Sequence, residues 1–75
     1  MLQPTDRLRE PLYWDDTYPI ALSLNAAHAD VADPSLLSLA QLHSWVTALD
    51  DFADDREQMP VEWLEQIQVE WIELK

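Results

Sequence analysis

Cysteine is absent from the 75 residues of this chain. That one absence removes disulfide staples, thiol nucleophiles, persulfide carriage, zinc knuckles and cysteine-ligated clusters together. Glycine is absent too. Phosphate cradles built on glycine-rich loops are therefore excluded, and helix ends and turns must be made with Asp, Asn, Ser and Pro. Cations are scarce: four Lys and Arg stand against fifteen Asp and Glu, for a formal charge of −11. A surface of that sign repels phosphate backbones and anionic lipid, and attracts basic protein patches and cations. Neither nucleic acid nor a membrane is expected as a partner. No apolar run reaches the roughly 20 residues of a membrane span, and Met1 to Tyr13 holds no uninterrupted apolar core of a secretory signal. A soluble, cytoplasmic protein is expected.

What is present argues for a folded core. Hydrophobic residues make up 48% of the chain and include four Trp, which outweighs the high charge as a predictor of order. At this length there is room for one domain, which buries only about 60% of its unfolded surface and is modestly stable. A monomer is expected. Residues 1–13 carry Pro4, Pro11 and mixed charges and read as an arm, extended or forming a short strand, that frays at its start. Residues 14–75 read as a single helical domain.

Within that domain the spacing predicts three helices. The first begins near Asp16 or Thr17, either of which can cap it, with Pro19 in the first turn where its missing N–H costs nothing. Ile20, Leu24 and Ala27 form its apolar stripe. Asp33-Pro34-Ser35 then breaks the chain, because the residue before proline is pushed out of the helical region. A second helix starts near Ser38, with Leu42, Trp45, Val46 and Leu49 at i, i+3, i+4 and i+7. A third starts near Pro60, with Leu64, Ile67, Trp71 and Leu74 as its stripe and Glu62, Glu65, Glu70 and Glu73 off it. Leu12-Tyr13-Trp14 and Leu36-Leu37 are candidates for a minimal sheet. The expected fold class is mostly α.

The one unusual local feature is the run Asp50-Asp51-Phe52-Ala53-Asp54-Asp55-Arg56-Glu57. Its bland reading is a solvated charge run. Asp50 and Asp51, however, sit at the carboxyl end of the second helix, where the helix dipole disfavours an anion by about 0.3–1 kcal/mol. If the helix continued, Asp50/Asp54 and Asp51/Asp55 would become like-charge i, i+4 pairs. Selection for folding alone would place lysine there, so Asp50 and Asp51 are the stronger functional candidates. Asp54, Asp55 and Glu57 precede the third helix and suit its positive end. The run is not an EF-hand: it lacks the turn glycine and has doublets where that loop alternates its ligands. A looser set for a hard cation, Mg²⁺, Mn²⁺ or Fe²⁺, is compatible with carboxylates, and would bind weakly without histidine or a closed outer shell.

Other chemistry-bearing residues read as structural. His43, beside Trp45, is a packing or surface residue. His28 lies near the end of the first helix, where a partial positive charge is favourable. The Ser and Thr hydroxyls show no nucleophile–base–orienter pattern. The tryptophans default to core, except Trp63, which falls off the Leu64–Ile67–Trp71 stripe and suits a partner contact.

Trp14, Asp16, Thr17, Ile20, Ala21 and Leu24 resemble the start of the first helix in the IscX (YfhJ) family. Asp33-Pro34 followed by Leu42-His43, Trp45-Val46, Leu49, Asp51-Phe52 and Asp54-Asp55 is similar to that family's central stretch, and Leu64-Glu65, Ile67-Gln68 and Trp71 to its closing helix. The resemblance runs from Trp14 to about Glu73. Several positions depart from the pattern. His28-Ala29-Asp30 stands where an aromatic–proline pair is usual, with one extra residue before Asp33. Leu39 stands for Phe and Arg56 for a proline, and Met1 to Glu10 is an unmatched extension. The resemblance implies a modified winged-helix fold that binds the cysteine desulfurase of the iron–sulfur machinery through an acidic face. It further implies competition there with the frataxin homologue, and association with ferrous iron.

The expected function is therefore an acidic adaptor or regulator of iron–sulfur cluster assembly, not an enzyme. It would dock through Asp50, Asp51, Asp54, Asp55, Glu57 and Trp63. It requires no cofactor, and the four aspartates are the candidates for weak Fe²⁺ binding. A different class, an acidic mimic of nucleic acid that blocks a DNA-binding protein, fits the same charge.

Overall fold

The computed structural model of the protein describes residues 11–75; of the arm expected over residues 1–13, residues 1–10 lie outside them. Three α-helices follow one another, α1 (Thr17–Ala27), α2 (Leu39–Thr47) and α3 (Val61–Leu74), with a 3₁₀ turn at Pro34–Leu36 between the first two. The fold is mostly α. No described residue has a positive φ, in keeping with a chain that has no glycine to place there.

In α3, Leu64, Ile67 and Trp71 are fully buried, while Leu74 packs partly against the core. Their three- and four-residue spacing puts them on one face, which closes on Ile20, Ala21 and Leu24 of α1 and on Leu42 and Val46 of α2. Pro60 sits just before the first turn of α3, and its carbonyl accepts the Leu64 N–H at 2.9 Å. Ser38 caps α2 as expected, its hydroxyl accepting the Gln41 N–H at 3.1 Å. On α2, Leu42 and Val46 are buried and Trp45 is half-buried; the helix ends at Thr47, so Leu49, expected on its stripe, packs half-buried against the same core from the turn that follows. The Trp71 indole lies 6.2 Å from that of Trp45 and donates to Asn25 Oδ1 on α1 at 3.2 Å. One aromatic side chain thus ties all three helices.

Three expectations change. Ala27 is exposed, not buried. The inward arc of α1 is rotated past the expected stripe. It runs through Ile20, Ala21 and Leu24 to Asn25 and to His28, which stacks on Trp45 with 3.8 Å between centroids. Ala27 falls just outside that arc. Asp16 occupies the cap position of α1, but its carboxylate does not cap; it turns back to accept the Tyr13 N–H at 2.9 Å.

The minimal β element also has a different partner. Leu12 forms a parallel bridge with Phe52, through Leu12 N–H to Asp51 O and Ala53 N–H to Leu12 O, both at 2.8 Å. Leu36 lies in the 3₁₀ turn and is 82% exposed. Asp33 starts that turn by accepting the Ser35 N–H, and Pro34 supplies a preset φ. The turn's carbonyls are then engaged by Gln68 of α3, whose amide donates to Pro34 O at 2.9 Å and Leu37 O at 3.1 Å. The N–H groups of Leu36 and Leu37 are likewise spent within the turn, on Asp33 O and Pro34 O.

Candidate functional site

The acidic run begins where α2 ends. Residues 48–51 form turns, so Asp50 and Asp51 sit just past the carboxyl end of α2 and not within it. Asp50 is exposed and Asp51 half-buried. The Asp51 main chain is anchored by Leu12, while the carboxylates of both residues make no hydrogen bond within the described residues.

Asp54 is different. Its two oxygens accept separate backbone N–H groups: Trp14 at 2.9 Å and Asp55 at 2.7 Å. These bonds, Trp14 first and then Asp55, hold its carboxyl below the ordinary carboxylate range, against a smaller opposing effect of burial. Asp55 turns its Oδ1 to the Glu57 N–H at 2.9 Å, and its carbonyl accepts the Trp14 indole N–H at 2.9 Å. Asp54 and Asp55 therefore clamp Trp14 by backbone and by indole across 40 residues of sequence. Trp14 is buried, edge-on to Phe52 at 4.7 Å and stacked on His43 at 5.6 Å. His43 Nε2 in turn lies 2.7 Å from Gln58 O, which fixes the far end of the loop if that nitrogen carries the proton. His43 is a packing residue here.

Arg56, the only cation in the run, is exposed but turns its guanidinium onto the main chain. It donates from Nε to Thr47 O at 3.1 Å and from a terminal nitrogen to Phe52 O at 2.9 Å, with its guanidinium 5.6 Å from the Phe52 ring centroid. Thr47 is the last residue of α2, so Arg56 supplies the positive charge that the helix end favours. Among the described residues no ion pair joins it to an aspartate. Its N–H groups go to main-chain carbonyls and not to the carboxylates beside it.

Trp63 is 45% exposed, as its place off the stripe predicts. Together with Trp14, Asp15, Asp54, Gln58, Met59 and Pro60 it lines an open cleft of about 580 Å³. The structure therefore brings Asp54 and Trp63 together and leaves Asp50 and Asp51 outside that cleft. Asp15, Gln58 and Met59 were not candidates from sequence. The available signal was Met59, an apolar residue stranded in an acidic loop four positions before an off-stripe Trp.

A ferrous ion drawn to this face would meet the four aspartates unequally. Among the described residues the carboxylates of Asp50 and Asp51 accept no hydrogen bond, whereas both oxygens of Asp54 and one of Asp55 already accept N–H groups. Among the described residues no three His, Asp or Glu side chains converge into a metal-binding group. No described helix is long and apolar enough to cross a membrane.

Comparison with known proteins agrees with the resemblance in the sequence. The family model for iron-sulphur cluster assembly matches residues 12–75, the whole of the three-helix unit with the Leu12 bridge. The uncharacterized protein PA3808 of Pseudomonas aeruginosa is 37% identical over 62 residues, covering 83% of this chain and 92% of that protein. The chain belongs to the iron-sulphur cluster assembly family, that of IscX, and its role lies in the assembly of those clusters.

Proposed function

We propose that the chain is a non-catalytic adaptor of the cluster assembly machinery that docks on a cysteine desulfurase through its acidic face. Asp50 and Asp51 supply charge that is unengaged among the described residues. Asp54 and Asp55 shape the loop and add to its field, and Glu57 and Trp63 border it. The observation that carries this reading is the turn of the Arg56 guanidinium onto Thr47 O and Phe52 O. Among the described residues it pairs with none of the carboxylates of the run, and Asp50 and Asp51 lie at a helix end where folding alone would favour cations.

Such a face works by long-range steering toward a basic patch, followed by charge-assisted hydrogen bonds to arginine or lysine. With no cysteine to carry sulfur, the adaptor acts on the desulfurase by occupying its surface. Ferrous iron, in this account, associates weakly with Asp50 and Asp51 as a counter-ion. The test is a titration of the chain with purified cysteine desulfurase at low and at high salt. A complex that weakens steeply with salt is the expected outcome, and the absence of a complex even at low ionic strength would overturn the proposal.

A further inference from the structure

We infer that the cleft between Trp14 and Trp63 is an arginine pocket, taking one arginine side chain from a protein partner. The inference rests on the docking function proposed above and adds which side chain the site selects. The cleft, about 580 Å³, falls within the roughly 300–1,000 Å³ of ordinary ligand sites. Its walls are of two kinds. Trp63 and Met59, about half exposed, give it apolar and aromatic surface. Asp15 and Asp54 give it negative charge, and no cation is among the described residues that line it.

That pairing selects a particular guest. An aromatic face beside carboxylates suits a flat, weakly hydrated cation that stacks on the ring while donating in-plane N–H groups, which describes guanidinium better than ammonium. Asp54 is charged throughout the physiological range, since its two backbone bonds hold its carboxyl down. Those bonds use one acceptor site on each oxygen, and a carboxylate has about four. The cleft is also prebuilt. Trp14 is pinned by Asp54 and Asp55, and Gln58 O meets His43, so floor and wall are set before a guest arrives. A second copy of this chain is a poor occupant, because its net charge of −11 opposes approach.

The experiment is a titration of the isotope-labelled full chain with N-acetyl-arginine amide, followed by backbone and indole N–H signals. N-acetyl-lysine amide and the uncharged N-acetyl-citrulline amide serve as comparison probes. The arginine probe is expected to shift the Trp63 indole signal and the backbone signals of Asp15, Asp54 and Met59, with the lysine probe weaker and the citrulline probe silent. Trp63→Ala is expected to weaken arginine binding by about 3- to 30-fold, with circular dichroism unchanged. The pocket is refuted by no response to the arginine probe, by an equal response to lysine, or by shifts centred on Asp50 and Asp51. A desulfurase arm separates the two claims. If Trp63→Ala binds the desulfurase like the native chain while Asp50/Asp51→Asn is weakened, docking stands and the pocket falls. If no desulfurase complex forms at all, docking falls, and the arginine probe still decides the pocket.

Discussion

Replacing Arg56 by Gln gives the sharpest test of how the acidic run is held. In the structure the guanidinium donates to Thr47 O and Phe52 O and lies over the Phe52 ring. A hydrogen bond of this kind contributes about 0.5–1.5 kcal/mol net. A cation at a helix carboxyl end contributes about 0.3–1 kcal/mol, and an exposed cation–π contact about 0.5–1 kcal/mol. These overlap in one partly exposed side chain, so the expected loss is about 1–2 kcal/mol, below their sum. For a domain of this size that lowers the melting temperature by about 4–16 °C. The assay is reversible unfolding by urea and heat, followed by far-UV circular dichroism, at about 50 mM and about 0.5 M salt. A cation bound to carbonyls should lose little of its effect at the higher salt, whereas one acting through distant aspartates should lose most of it. Arg56→Lys should recover the helix-end charge but not both hydrogen bonds, and so fall between the two. A loss below about 0.5 kcal/mol, the range of an ordinary surface substitution, or one that vanishes with salt, would refute the carbonyl-binding role of Arg56.

Further outcomes follow from the same contacts. Because the Asp54 carboxyl is held below its ordinary value of 3.8 when folded, its contribution is complete above that value and is lost as pH falls through the folded value. Asp54→Asn should therefore flatten the acid limb of a urea-midpoint profile while leaving its dependence near neutrality unchanged. Gln68→Ala should cost about 1–3 kcal/mol by urea unfolding, since the part-buried carbonyls of Pro34 and Leu37 lose their donor. On α3, Ile67→Val in the core should cost about 0.5–1.5 kcal/mol, and Val69→Ala on its outer face under about 0.5 kcal/mol by the same measurement.

The parts of the fold legible from sequence were those that repeat. Leu64, Ile67 and Trp71 announce their face by period alone, and Trp63 announces its exposure by missing it. Ser38 and the Asp33-Pro34 break are local chemistry, read from neighbouring residues. What escaped was non-local. The bridge from Leu12 to Phe52 leaves no periodic trace, because one pair of residues meeting across the chain has no pattern to repeat. Leu36-Leu37 reads from sequence as the partner of Leu12-Tyr13-Trp14, but Gln68 engages the carbonyls of Pro34 and Leu37 instead. The candidate site shows the same division. Composition identifies Asp50 to Asp55 as a group, but it cannot separate aspartates that face solvent from those that clamp Trp14. That distinction depends on a hydrogen bond spanning 40 residues. Arg56 stands in the sequence only as a departure from a family proline, and its bond to Thr47 O at the end of α2 is likewise non-local.

The central claim is that carboxylates at the surface, not a reactive group, are what the molecule offers its partner. It is tested most directly by the salt dependence of binding to purified cysteine desulfurase for the native chain and for Asp50/Asp51→Asn. The variant is expected to bind more weakly and with a shallower salt slope, and its unfolding midpoints should not fall, because removing anions from a helix carboxyl end relieves an unfavourable interaction. An affinity and a salt slope identical to those of the native chain would contradict it.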